Sequence, residues 1–218
     1  MTASTTLPLP PGIPATHSAT ERQIIKALEG TTADEPRAQA LWDLAVFYHK
    51  EAVRSDLAIL LLELIIEESD DRERSALAYL VLGHIAQASD KWATALELYE
   101  HGLFLTPKRK ETVYFLCNNA GYCLNALHMY DRGESYCRRA IEINSSEPYA
   151  FTNLGISLYA QQDFKGAAWC WVEAVKANPS QPYAVELLKQ LLTKYPELKR
   201  QCPWTQELVV TRNAPKVM

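Results

Sequence analysis

Residues Pro148 to Gln181 read PYAFTNLGISLYAQQDFKGAAWCWVEAVKANPSQ. Leu154-Gly155, Leu158, Ala167, Trp171, Ala174 and Pro179 mark a pair of helices in this stretch, and the same pattern recurs upstream. In the copy before it, Tyr114 to Glu147, the places are held by Ala120-Gly121, Leu124, Gly133, Cys137 and Ala140, and Gly155 − Gly121 gives a period of 34. A third copy, Ala76 to Arg109, supplies Tyr79, Leu82-Gly83, Ala95, Tyr99 and Pro107. The earliest, 38–71, keeps Leu44-Ala45 and Tyr48, with Leu57, Leu61 and Leu64 in its second helix.

With this spacing the chain resembles a tetratricopeptide repeat protein, whose 34-residue unit is a helix-turn-helix that stacks on its neighbours. Phe151 stands where the signature prefers Trp, Ala86 where Leu or Tyr is usual, and the earliest copy lacks the closing Pro. The resemblance implies an all-α, right-handed α-solenoid of about four helix pairs. In such a unit a Gly or Ala lets two helices approach closely, large residues fill the space beside it, and Pro opens the next helix.

Gly83 − Ala45 and Gly121 − Gly83 both give 38, so two junctions carry four extra residues, around Arg72 to Ser75 and Lys110 to Val113. Four residues are close to one helical turn and add roughly 6 Å while nearly preserving the inward face. The organisation expected is a disordered Pro/Thr/Ser arm over 1–18, an N-terminal helix and turn over 19–37, repeats at 38–71, 76–109, 114–147 and 148–181, a capping helix region at 182–202, and a tail at 203–218. Thr20 and Gln23 form a capping-box pattern ahead of Ile24, Ile25 and Leu28, with Gly30 as a stop. In the capping helix Val185, Leu188 and Leu192 share one face.

Composition excludes several functions. The chain has 218 residues, 48% hydrophobic and 22% charged, with a formal charge of −4, which fits a helical globular protein. The longest apolar run, Leu57 to Ile66, is broken by Glu63 and falls short of the ~20 residues that cross a bilayer, so no membrane span is expected. The N-terminus lacks a basic start followed by an apolar block. With five cysteines, an odd number, this favours a reducing, cytoplasmic location. Cys117 and Cys123, six apart on one helix, point about 120° from each other. Without a C-x-x-C or H-x₃-H pair, no metal or other cofactor is expected. There is also no G-x-S-x-G, Gly-rich phosphate loop or H-E-x-x-H, so the chain is read as a non-enzyme.

Charge is uneven: seven basic against thirteen acidic residues over 21–75 (−6), seven against eight over 76–147 (−1), and eight against five thereafter (+3). Nucleic acid is therefore not an expected partner. Lys108-Arg109-Lys110 is one short basic cluster at an inter-repeat turn.

Function then lies in surfaces. The resemblance places a concave, ligand-lining stripe on the first helix of each repeat. Here that stripe is Gln39, Trp42 and Val46; Leu77, Leu80, His84 and Gln87; Phe115, Asn118, Tyr122 and Asn125; Tyr149, Thr152, Ile156 and Tyr159; and, in the capping helix, Tyr183, Glu186 and Gln190. Asn119 and Asn153 match the Asn with which family members bond an extended peptide backbone, one amide offering both donor and acceptor. The bland alternative is that both satisfy neighbouring helix ends or water. The basic clamp that grips a partner's carboxylate in some co-chaperone members is absent, since Trp42, Asn118, Tyr122, Tyr149 and Asn153 hold those places. The aromatic residues suggest a groove for apolar side chains between amide contacts.

The leading expectation is a protein-protein interaction scaffold or assembly chaperone that holds a peptide or helix in this groove. A self-associating structural protein and a regulatory subunit of an enzyme complex follow. For self-association the candidate surface is a second apolar stripe, Ile59, Leu62 and Ile66, which needs a cover from the N-terminal helix or a second subunit.

Overall fold

The computed structural model describes residues 19–29, 34–51, 54–180 and 182–205; the arm, Gly30 and the tail from 206 lie outside them. Among the described residues there are eleven helices and no strand. They divide into two compact units, Met1–Pro107 and Lys108–Met218, each with its own apolar cluster. None of these helices is long and apolar enough to cross a membrane.

In the first unit α1 (Ala19–Glu29) packs on α2 (Asp34–Glu51), α2 pairs with α3 (Ser55–Glu68), and α4 (Arg72–Gln87) pairs with α5 (Trp92–Phe104). In the second, α6 (Lys110–Ala126) pairs with α7 (Tyr130–Ile143) and α8 (Pro148–Ala160) with α9 (Phe164–Ala177). There α10 (Pro182–Lys194) and the one-turn α11 (Leu198–Gln201) follow.

Close approach within a pair has one cause. A methyl carbon on Gly83 would fall 2.2 Å from Cε1 of Tyr99, on Gly155 2.3 Å from Nε1 of Trp171, and on Gly121 2.6 Å from Sγ of Cys137. The partner lies 16 residues on each time (99 − 83, 171 − 155, 137 − 121). In the earliest pair Ala45 and Leu61 hold this separation, both fully buried in one cluster. A large side chain thus occupies the volume that a missing Cβ leaves, and the helices lock at that point.

The extra four residues extend the first helices: Arg72–Ser75 and Lys110–Val113 form the opening turns of α4 and α6, which run 16 and 17 residues against 13 in α8. The intra-pair turns are also repeated. Asp90, His128 and Gln162, spaced 38 and 34 apart, take left-handed φ values of 56°, 59° and 67°. The next N–H then reaches back to the helix: Lys91 to Ala86 O (3.0 Å), Met129 to Leu124 O (2.8 Å) and Asp163 to Leu158 O (2.9 Å). This closure satisfies orphan carbonyls at the helix end.

Two readings of the sequence need correction. In α3 the buried residues are Leu57, Ala58, Leu61, Leu62 and Ile65, while Leu64, Ile59 and Ile66 are half-buried against the same cluster. Because α3 packs on both α2 and α4, its buried arc widens and takes in Leu62, which is fully buried and so offers nothing to a second subunit. At the N-terminus the helix starts at Ala19, so Thr20 sits inside the first turn rather than ahead of it. There Ile25 and Leu28 bury against the core, and the Tyr48 hydroxyl donates to Glu21 Oε1 at 2.5 Å.

Candidate functional site

The first-helix face of the first unit is mostly committed to packing. Trp42 is half-buried against the apolar cluster, Leu80 is buried, and Gln39 donates to Asp43 at 2.8 Å. Gln87 accepts the Tyr99 hydroxyl at 2.9 Å. His84 meets Tyr99 edge-on, with ring centroids 6.0 Å apart. Burial, with a smaller push from His49, holds the His84 imidazole below its usual pKa.

In the second unit the amides cross between first helices. Asn118 Nδ2 donates to Asn119 Oδ1 at 3.0 Å, and Asn118 Oδ1 accepts Asn153 Nδ2 at 3.0 Å. Asn125 Nδ2 donates to the carbonyl of Asn153 at 2.8 Å, and Asn125 Oδ1 accepts the Ser157 hydroxyl at 2.7 Å. Thr152 bonds back to Pro148 O at 2.9 Å. Asn118, Asn125, Thr152 and Asn153 are all buried, and the side chains of Asn118, Asn125, Asn153 and Ser157 join α6 to α8. One of the two Asn153 amide protons is committed to Asn118. Asn119 and Tyr122 are half-buried.

The aromatic residues divide differently. Phe115 (38% exposed), Tyr149 (45%) and Tyr183 (52%) face solvent. Tyr159 belongs to an aromatic group, tilted on Phe164 at 5.5 Å and on Trp171 at 6.1 Å, with Tyr195 stacked on Phe164 at 4.1 Å. Trp171 is fixed by its Nε1–H, which donates to Thr152 O at 3.2 Å.

Beside this group α8, α9 and α10 enclose a pocket of about 290 Å³, lined by Ile156, Tyr159, Trp171, Tyr183, Leu187, Gln190, Leu191 and Lys194. Four liners, Ile156, Tyr159, Tyr183 and Gln190, come from the stripe read in the sequence. Trp171, Leu187, Leu191 and Lys194 were missed as site residues. For the last three the signal was available in α10, where Tyr183, Leu187, Leu191 and Lys194 follow at helical spacing. Lys194 Nζ donates to the Tyr159 hydroxyl at 2.9 Å and lies 5.5 Å and 5.4 Å from the Tyr159 and Tyr195 ring centroids. The bond to Tyr159 raises the Lys194 pKa above its usual value. The result is an apolar cleft with a cation at its solvent-facing rim, suited to binding rather than bond-breaking.

The five cysteines are buried free thiols. Desolvation raises the Cys117 pKa to about 11 and those of Cys123 and Cys170 to about 12, and pushes that of Cys137 higher still. Neutral thiols of this kind are poor nucleophiles and poor ligands. Among the described residues no group of three His, Cys, Asp or Glu is placed to hold a metal ion.

No protein-family model matches the chain, and no curated protein matches it in sequence. Solved structures do share its fold. BtubC (BKLC) from P. vanneervenii is 17% identical with a TM-score of 0.65, covering 91% of this chain and 94% of that one. The first TPR of Spaghetti (RPAP3), bound to the HSP90 peptide SRMEEVD, is 20% identical with a TM-score of 0.51, covering 56% and 94%. The Hsp90 co-chaperone Cns1 from Saccharomyces cerevisiae is 20% identical with a TM-score of 0.56, covering 66% and 46%. The fold is that of the tetratricopeptide repeat proteins.

Proposed function

We propose that this chain is a non-enzymatic interaction scaffold or assembly chaperone, and that the first-helix face of its second unit receives a partner's peptide. The observation that carries this is the pocket between α8 and α10, where Ile156, Tyr159 and Tyr183 meet Trp171, Leu187 and Leu191. At about 290 Å³ it lies near the lower end of small-ligand sites and suits one large apolar side chain. A second support is the RPAP3 domain, which shares the fold and is bound to a peptide. The peptide chemistry should differ, because Trp42, Asn118, Tyr122, Tyr149 and Asn153 replace the basic clamp. Buried free thiols fit a reducing compartment such as the cytoplasm.

Selection of phage-displayed random 12-residue peptides on the full chain tests this reading. Recovered peptides should carry a large apolar residue and lose binding to Leu187→Asp, a substitution at a half-buried pocket position, with helicity retained by circular dichroism. Recovery of no peptide, or of peptides indifferent to Leu187→Asp, would overturn it.

A further inference from the structure

We infer that the pocket discriminates by charge as well as size, taking an apolar side chain whose neighbour in a linear peptide is Asp or Glu. The inference rests on the peptide-binding reading of the same pocket and adds the chemistry of its occupant.

The argument begins with Lys194. Five other cations of the fold face a carboxylate: Arg37 with Glu68, Arg54 with Asp56, Arg74 with Glu35, Arg138 with Glu134 and Lys176 with Glu173. The ammonium of Lys194 is held instead by uncharged groups, the Tyr159 hydroxyl and the faces of Tyr159 and Tyr195. Among the described residues no carboxylate pairs with it. Glu186, the acidic residue on the exposed side of α10, accepts Gln190 Nε2 at 3.0 Å.

The Tyr159 hydroxyl sharpens this geometry. It accepts from Lys194, so its own O–H is left to donate, and no acceptor for it stands among the described residues. A hydroxyl donor and an ammonium donor therefore sit 2.9 Å apart at the edge of an apolar cleft. A carboxylate can take one proton from each, and such charge-assisted bonds exceed neutral ones in strength. The surrounding segment favours an anion too, with eight basic against five acidic residues from 148 to the end.

Lys194 stands exposed at the rim rather than enclosed, so a bound chain can continue past it. The carboxylate is accordingly assigned to a side chain within the peptide, not to a peptide's terminus. The cation also lies on α10, the helix after the last repeat, whereas Trp42, Asn118, Tyr122, Tyr149 and Asn153 lie on the first helices of the repeats.

The test uses synthetic fluorescein-labelled versions of peptides recovered from the 12-residue random library, with anisotropy on the full chain and on Lys194→Met, Lys194→Arg and Leu187→Asp variants. Recovered sequences should be enriched in apolar residues adjacent to Asp or Glu. Changing that acid to Asn or Gln should weaken binding about tenfold, the worth of one good charged contact. Lys194→Met should abolish the difference between acid and amide peptides, and Lys194→Arg should preserve it.

Peptides that bind in a Leu187-dependent way without an acidic preference, or with the same preference in Lys194→Met, overturn this inference and leave the pocket reading standing. A preference removed by amidating the peptide C-terminus overturns the assignment to a side chain. Recovery only by a Leu208→Ser/Val209→Ser full chain overturns a foreign occupant in favour of the chain's own Glu207-Leu208-Val209 segment. Binding indifferent to Leu187→Asp overturns the underlying function instead.

Discussion

The two units repeat one pattern and join their first helices by different chemistry. Stepping back by the observed periods, Asn118 corresponds to Leu80 and Trp42, Asn119 to Val81 and Asp43, and Asn125 to Gln87 and His49. In the second unit these places carry an amide and hydroxyl ladder between α6 and α8. In the first they contribute Leu80 and Trp42 to apolar packing, and Gln87 turns to Tyr99. Charge differs as well: 8 basic against 16 acidic residues over 1–107 (−8) and 14 against 10 over 108–218 (+4). Apolar surfaces reward any arrangement that excludes water, whereas buried amides are satisfied at one register and costly at others. The unit with the candidate pocket is thus the one whose first helices are joined by buried amides, whereas α2 and α4 share the exposed Arg74–Glu35 ion pair.

The largest effect is expected where both units use the same device. Gly155→Leu should force α8 and α9 apart, with an overpacking cost of at least about 1 to 3 kcal/mol, and Gly83→Leu should do the same to α4 and α5. Ala45→Leu should cost less, because its partner Leu61 already accommodates a Cβ. Equal melting temperatures for wild type and Gly155→Leu would show that the helix contact is misassigned.

The amide ladder is the direct point of difference. Asn125→Ala removes a donor from Asn153 O and an acceptor from Ser157, both buried, and should cost about 1 to 3 kcal/mol. Gln87→Ala, at the matching place in the first unit, should cost less than about 1 kcal/mol, since it ends one partly buried bond. Urea titrations of the two variants measure this contrast, and equal losses would break it.

A smaller effect should appear with pH. His84 has its folded pKa depressed below 6.5, so the unfolded chain binds the proton first as pH falls. Its contribution to stability is therefore complete above about 6.5, declines as pH drops from there toward the folded pKa, and levels off below it. Hydrogen exchange in α4 should accelerate over that window, and His84→Gln should flatten the change. The smallest effect belongs to the turns: Gln162→Gly relieves a left-handed φ of 67° and should stabilise by about 0.5 to 1 kcal/mol after the entropy of glycine is counted. An unchanged or lowered melting temperature would mean that the Gln162 side chain contributes more than the strain removes.

Helix pairing was legible in the sequence because it depends on residue size at fixed spacing. Gly83 with Tyr99 and Gly155 with Trp171 need only a missing Cβ and a large partner 16 places on. The four-residue insertions were legible for the same reason, since one turn preserves the face. In α3, however, a mostly apolar helix gives periodicity little contrast, so Leu62 and Leu64 exchanged places. The site was less legible still: Tyr159 and Tyr183 lay on the expected stripe, but Lys194, Leu187 and Trp171 join them only through the packing of α8, α9 and α10.

The sequence by itself determined an all-helical tetratricopeptide-type chain, because repeated small and large residues leave one economical way to bury each apolar face. Tertiary structure alone decided whether a polar side chain on that face turns inward or outward. Asn153 and Tyr159 both lie on α8, yet one amide closes onto Asn118 while the other residue's hydroxyl receives Lys194 at a pocket rim. Spacing assigns a residue to a face, but the partner that its donors and acceptors find depends on which helix packs beside it.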